Sequence, residues 1–174
     1  GSHLASLPFS HYVPVLCEDK QTLQELIEIS REIVTQNRHR YIEIRGSAQD
    51  LAELGFQTSE HNWISVLDLR ANEEVLHSNM RSSSRRNVRK ARKNNLHVRE
   101  STSFTDFDHF YQMILETRRY QGVPPYPKHL FVNLANMPEA RLYLACQGDE
   151  ILAGIITLCH DKRAIYAYGA SIKD

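Results

Sequence analysis

The sequence predicts an α+β fold with helices packed on a mainly antiparallel sheet, and three observations predict it. Near the end, Arg141–Cys146, Ile151–Cys159 and Ala164–Ser171 favour extended backbone and are separated by the turn signals Gly148-Asp149 and Asp161-Lys162. Ahead of them, Phe107, Phe110, Tyr111 and Ile114 share one face of a helical pattern that stops at Gly122-Val123-Pro124-Pro125. Third, 174 residues with 41% hydrophobic and 24% charged side chains can bury the core of one ordinary domain, or parts of two. Strand, helices, then a meander of short-linked strands is the order of α+β proteins.

Taken in order, Thr22-Leu23-Gln24-Glu25 reads as a capping box. Leu23, Leu26, Ile27, Ile33 and Val34 then line one helical face that ends near Arg38. Tyr41–Arg45 alternates as a short strand before Gly46. Ser47 and Asp50 open a short helix that Gly55 closes through a left-handed cap. Phe56–Leu69, with Trp63, Ile64, Val66 and Leu67, is expected to be strand. From Asn72 the pattern is helical and runs into a basic block, followed by a strand at Leu96–Glu100. Thr105 with Asp108 is expected to cap the next helix, and Lys128–Met137 to form a shorter one.

Composition removes several function classes. Cys17, Cys146 and Cys159 have neither disulfide-framework nor zinc-ribbon spacing and suit a reducing compartment. No apolar run approaches the ~20 residues of a membrane span, and no signal-peptide pattern opens the chain. The expected location is therefore the cytoplasm. His61, His77, His97, His109, His129 and His160 show no ligand spacing, so no metal is expected. Phosphate-loop, dinucleotide and serine-hydrolase motifs are absent too.

The zero net charge conceals an asymmetry. Residues 1–80 carry 6 Lys/Arg against 12 Asp/Glu, residues 81–93 carry 7 against none, and residues 94–174 carry 8 against 9. Arg81, Arg85 and Arg89 share one helical row, while Arg86, Lys90 and Lys93 share another, beside the hydroxyls of Ser82-Ser83-Ser84. Two readings stay open: an anion clamp, or a solvated face whose charges pair with the acidic first half.

Five ordered segments carry a family resemblance. They are Leu4–Phe9, the run Arg85–Val98, Phe110-Tyr111 with Thr117-Arg118-Arg119 and Gly122-Val123-Pro124, then Ala153-Gly154, and Tyr166–Ser171. Together they resemble the FemAB-like acyltransferases, relatives of the enzymes that attach amino acids to peptidoglycan precursors. The same segments also resemble the FemAB-like proteins of bacterial exosortase-associated exopolysaccharide clusters. Asn95 departs from the family, which often has Gly there; Asn still tolerates a left-handed helix end.

The resemblance implies N-acetyltransferase-like (GNAT) domains in tandem. Residues 1–75 would be the C-terminal part of a first, 76–95 a basic connecting helix, and 96–174 the N-terminal half of a second. It implies a sheet incomplete at the C-terminus, without the elements that cradle the donor, so that this chain alone is expected to be inactive. The implied reaction is transfer of an acyl or aminoacyl group to an amine in cell-envelope or exopolysaccharide synthesis. Acyl-CoA or aminoacyl-tRNA would be the donor of the full-length family, and a nucleotide-sugar, lipid-linked precursor or tRNA the anionic partner. Tyr166, Tyr168 and Ser171 are the catalytic candidates, with both tyrosines expected on one strand face; ordinary aromatic packing is the competing reading. Gly169, as a bulge or point of close approach, is the candidate for an oxyanion-binding amide. Arg85, Arg89, Lys93 and Arg118 are the substrate-binding candidates, although Arg118 also suits a helix C-terminus. A non-catalytic RNA- or polyanion-binding module built on residues 81–93 is the alternative. The strand at 164–171, uncharged and apolar along Ala164–Tyr168, is expected to form a homodimer edge.

Overall fold

In the computed structural model, which describes residues 2–172 except 8, 11, 47–48 and 60–62, Asp19 rather than Thr22 opens the first helix. Its carboxylate accepts the Thr22 amide at 2.7 Å, so the cap lies three residues earlier than the box expected from sequence. The expected helix start at Ser47 and the side chain of His61 lie outside the described residues. The chain divides into two compact units, Gly1–Val66 and Leu67–Asp174.

In the first unit, α1 (Lys20–Gln36) ends at Asn37, with Arg38 left-handed at φ 55°. Strands β1 (Leu4–Ala5) and β2 (Ile42–Glu43) pair in parallel, Leu4 opposite Ile42. Helix α2 (Gln49–Ala52) is followed by Gly55 at φ 81°, the left-handed closure expected there. Leu23, Ile27 and Leu51 form a small core against Val15, Ile44, Leu54 and Phe56.

The strand expected over Phe56–Leu69 does not form among the described residues. Trp63 is wholly exposed and Val66 is 89% exposed. The reason is physical: strand preference measures fit to a pleated, half-buried surface, and among the described residues no strand pairs with this segment to supply one.

In the second unit Asn72 caps α3 (Glu73–Asn79) by accepting the Val75 amide at 2.9 Å. Met80 and Arg81 are extended and break the helical run, and the basic helix α4 (Ser82–Lys93) follows. Asn95 takes the left-handed conformation, φ 56°, as its place in the sequence requires. It hands the chain directly to β3 (Leu96–Ser101). Helices α5 (Phe104–Gln121) and α6 (Lys128–Ala135) then precede β4 (Ala140–Gln147), β5 (Glu150–His160) and β6 (Arg163–Ser171). The sheet runs β3-β4-β5-β6, antiparallel throughout.

Neither Thr105 nor Asp108 caps α5. The helix starts at Phe104, after Ser103, and Asp108 instead pairs with Lys128 at 2.6 Å. Asp106 ties the first turn to β3: it accepts both terminal nitrogens of Arg99, at 2.6 and 2.9 Å, and the Ser101 hydroxyl. Such a forked charge-assisted pair fixes angle as well as distance.

Phe110, Phe131, Leu142, Leu144 and Ile156 are fully buried where α5 and α6 cover one face of the sheet. Gly154 lets α5 approach that closely, because a Cβ there would lie 2.6 Å from Phe110 and 3.0 Å from Leu144. The other face, with Tyr143, Ala145, Ile155 and Thr157, is not buried.

Candidate active site

Alternation along a strand sends neighbouring side chains to opposite faces, so Tyr166 and Tyr168 would share one. A bulge in β6 prevents this. Thr157 pairs with Tyr166 while the adjacent Ile156 pairs with Tyr168, leaving Ala167 as the extra residue. One unpaired residue re-aims the side chains beyond it. Tyr168, opposite buried Ile156, therefore turns to the helix-covered face, while Tyr166, Gly169 and Ser171 line the open one.

The bulge expected near Gly169 thus lies at Ala167, and the sharing of one face by the two tyrosines is corrected. Gly169 serves the other role foreseen for it, a close approach. Tyr166, 65% exposed, folds its ring along β6 so that a Cβ at position 169 would overlap its hydroxyl. Ser171 is exposed at the end of the strand and pairs with Ala153. The open face of β6 therefore offers two hydroxyls around a side-chain-free stretch of backbone.

Tyr168 is 9% exposed, its ring edge-on to Tyr126 at 5.3 Å and tilted against Phe131 at 5.3 Å. Burial pushes its phenol above the ordinary tyrosine range, with Tyr126 adding to the effect. The Tyr168 phenol is consequently harder to ionise than an ordinary tyrosine.

Arg118 stands at the end of α5, where Gly122 turns left-handed at φ 67° and Val123 returns its amide to the Arg118 carbonyl at 3.1 Å. Its Nε donates to the Pro124 carbonyl at 2.9 Å, and its guanidinium lies 4.3 Å above the Tyr126 ring. The Tyr111 hydroxyl donates to the Tyr126 carbonyl at 2.9 Å. Arg118 and Tyr111 thereby fix the loop between α5 and α6, and that loop brings Tyr126 against Tyr168. Sequence reasoning missed Tyr126; its signal was an aromatic bracketed by prolines, Pro124-Pro125-Tyr126-Pro127.

Of the basic candidates, Arg89 and Lys93 are exposed on α4, whereas Arg85 is half-buried and donates to the Ser78 carbonyl across the α3–α4 break. Among the described residues none of the seven cations from Arg81 to Lys93 makes an ion pair. No three His, Cys, Asp or Glu side chains among the described residues converge as a metal site.

A family model described as a GNAT acetyltransferase domain matches residues 78–173, and one described as the FemAB family matches residues 14–124. No individual curated protein matches the chain.

Proposed function

The chain belongs to the FemAB family and carries a GNAT acetyltransferase domain, and we propose on that footing that it transfers an acyl or aminoacyl group to an amine at the open face of β6. The acceptor would be an amino group of a sugar or peptide in cell-envelope or exopolysaccharide synthesis. A GNAT domain implies an acyl-CoA donor in the family; aminoacyl-tRNA is the alternative carrier.

The observation that carries the reading is the Ala167 bulge, because it separates a chemical face from a structural one. The atoms nearest to a Cβ at Gly169 all belong to the Tyr166 side chain, so an acyl carbonyl would reach main-chain amides there once the ring moves. The amine nitrogen attacks the carbonyl carbon and a C–N bond forms. The bond from that carbon to the carrier's sulfur or ribose oxygen then breaks; the departing atom takes a proton from a hydroxyl of the site, and the attacking nitrogen gives up one proton, which restores that hydroxyl. The Tyr166 hydroxyl is the nearest donor to Gly169, and Ser171 is the second hydroxyl on the same face. Arg89 and Lys93 would hold an anionic part of the substrate, be it a nucleotide-sugar, a lipid-linked precursor or tRNA. In this scheme Arg118 and Tyr168 act through the loop they hold rather than on the reacting atoms.

Titration of the isotope-labelled chain with acetyl-CoA, and separately with an aminoacylated RNA minihelix, tests this. One of the two should shift the amides of Gly169 and Ser171, and Tyr166→Phe should weaken or alter those shifts. Shifts confined to residues 81–93 with both ligands would replace the transferase reading with that of a polyanion-binding module.

A further inference from the structure

Helix α4 carries a half-cylinder of positive charge. At about 100° per residue, Arg85, Arg86, Arg89, Lys90, Arg92 and Lys93 all fall on one half of its circumference, with Arg81 at its N-cap. Ser83, Ser84, Asn87, Val88 and Ala91 occupy the other half, on which Val88 and Ala91 are partly buried. Twelve residues make the strip about 18 Å long. Cations four residues apart repel one another, and no carboxylate among the described residues answers them. A single phosphate or pyrophosphate would meet two or three of the seven. An unbroken strip calls for an extended anionic surface.

A second observation selects the surface. In the same unit, on the chain ahead of α3, Leu67 and Leu69 are 69% and 61% exposed, and Met80, between α3 and α4, is also exposed. Aliphatic side chains have nothing to contact on a nucleic-acid backbone, and α4 carries no aromatic on which a base could stack. They do have a partner at the boundary between lipid headgroups and acyl chains. The non-basic half of α4 is too polar to sink into hydrocarbon, so the helix would rest on headgroups while the leucines reach deeper.

We infer that α4 and the leucines preceding it form a peripheral docking surface for a membrane leaflet rich in anionic lipid. Charge alone or a short apolar contact alone gives marginal attachment; the two combined give a firm but reversible one. No helix among the described residues is long and apolar enough to cross a bilayer. The inference does not depend on the donor or on the transfer step, although it shares Arg89 and Lys93 with the substrate site proposed above.

Co-sedimentation of the whole chain with phosphatidylcholine vesicles, plain or containing about one-third phosphatidylglycerol, tests it. The chain should partition onto the anionic vesicles only, and high salt should release it. Each exposed cation removed should reduce partition about fivefold, and Arg86→Gln with Lys90→Gln and Lys93→Gln about a hundredfold. Arg86→Lys with Arg89→Lys should retain binding, which separates charge from folding. Leu67→Ser with Leu69→Ser should weaken binding several-fold, and the single tryptophan, Trp63, four residues ahead of Leu67, gives a fluorescence report on this segment. No partition, or equal partition onto neutral vesicles, overturns the inference. So does tighter binding to polyuridylate than to anionic vesicles at equal phosphate, undiminished in the leucine variant; that result would give the strip to RNA.

Discussion

The two faces of the β3–β6 sheet are made from the same strands and behave oppositely. One is sealed by Phe110, Phe131, Leu142, Leu144 and Ile156, all fully buried. The other presents Tyr166, Gly169 and Ser171 on β6 with no helix of the unit's α5–α6 pair above them. Each face has a glycine at a close approach, and the two differ in what approaches. Beside Gly154 stand buried side chains that cannot retreat; beside Gly169 stands an exposed tyrosine ring that can swing away. The sealed face stores stability, and the open face keeps a side chain free to move. That division suits the transfer proposed for the open face of β6.

Substitutions sharpen the contrast. Phe110→Ala should be the most damaging, destabilising the chain by about 3–5 kcal/mol in denaturant titration, since it empties the centre of the sealed face. Gly154→Ala comes next at about 1–3 kcal/mol, through overpacking against Phe110 and Leu144. Gly169→Ala should change stability by no more than about 0.5 kcal/mol, because the Tyr166 ring yields, while making that ring more reactive to tyrosine-modifying reagents. If Gly169→Ala proved as damaging as Gly154→Ala, the open face would be as rigid as the sealed one.

A pH titration probes the seam between β3 and α5. The hydrogen bonds from Arg99 above all hold the Asp106 carboxyl below the ordinary aspartate range; burial opposes them, and the Ser101 hydroxyl adds a smaller lowering. A carboxyl depressed in the folded state contributes stability above its unfolded value, near 3.9, and that contribution is lost as pH falls through the lower folded value. Thermal unfolding of the parent chain should therefore fall steeply below about pH 4. Asp106→Asn should be less stable at neutral pH and show a flatter acid limb. Parallel acid limbs would mean that the Arg99–Asp106 pair contributes nothing to stability.

The smallest effect concerns the sheet's edge. Among the described residues β6 has one hydrogen-bonded neighbour, β5, and Ile165 and Tyr166 on it are exposed and uncharged. Light scattering should report a mass approaching twice 20.1 kDa at high micromolar concentration. Tyr166→Lys should shift the distribution towards the monomer; an unchanged distribution would remove β6 as the contact.

How much of this was legible in the sequence depended on which force set each feature. The strands at 141–171 and the α5 face of Phe107, Phe110, Tyr111 and Ile114 emerged from period and turn residues, because burial acts on side chains that the sequence displays. Asn95 was legible for a similar reason: few residues accept its backbone angles. The Ala167 bulge was not, since nothing about an alanine between two tyrosines marks an unpaired residue, and the facing of the catalytic candidates changed with it. Asp19 displaced Thr22 as a cap because two good capping residues stood within one turn and geometry decided between them. Arg118 read as a substrate ligand or a helix-end charge; its hold on Pro124 and Tyr126 depends on a loop whose path no pattern encodes.

One joint has a mechanical meaning. Between the end of α4 and the start of β3 the chain has only Asn94 and the left-handed Asn95, and Gln147 of β4 donates to the Asn94 carbonyl at 3.1 Å. Such a joint has no slack. A rod about 18 Å long clamped at one end works as a lever. Any tilt imposed on its cationic strip must either twist β3 and β4 or force Asn95 out of its narrow well. Tension on the helix is thus delivered to the strand pair farthest from β6, leaving the bulged strand mechanically quiet while the rest of the sheet carries the load.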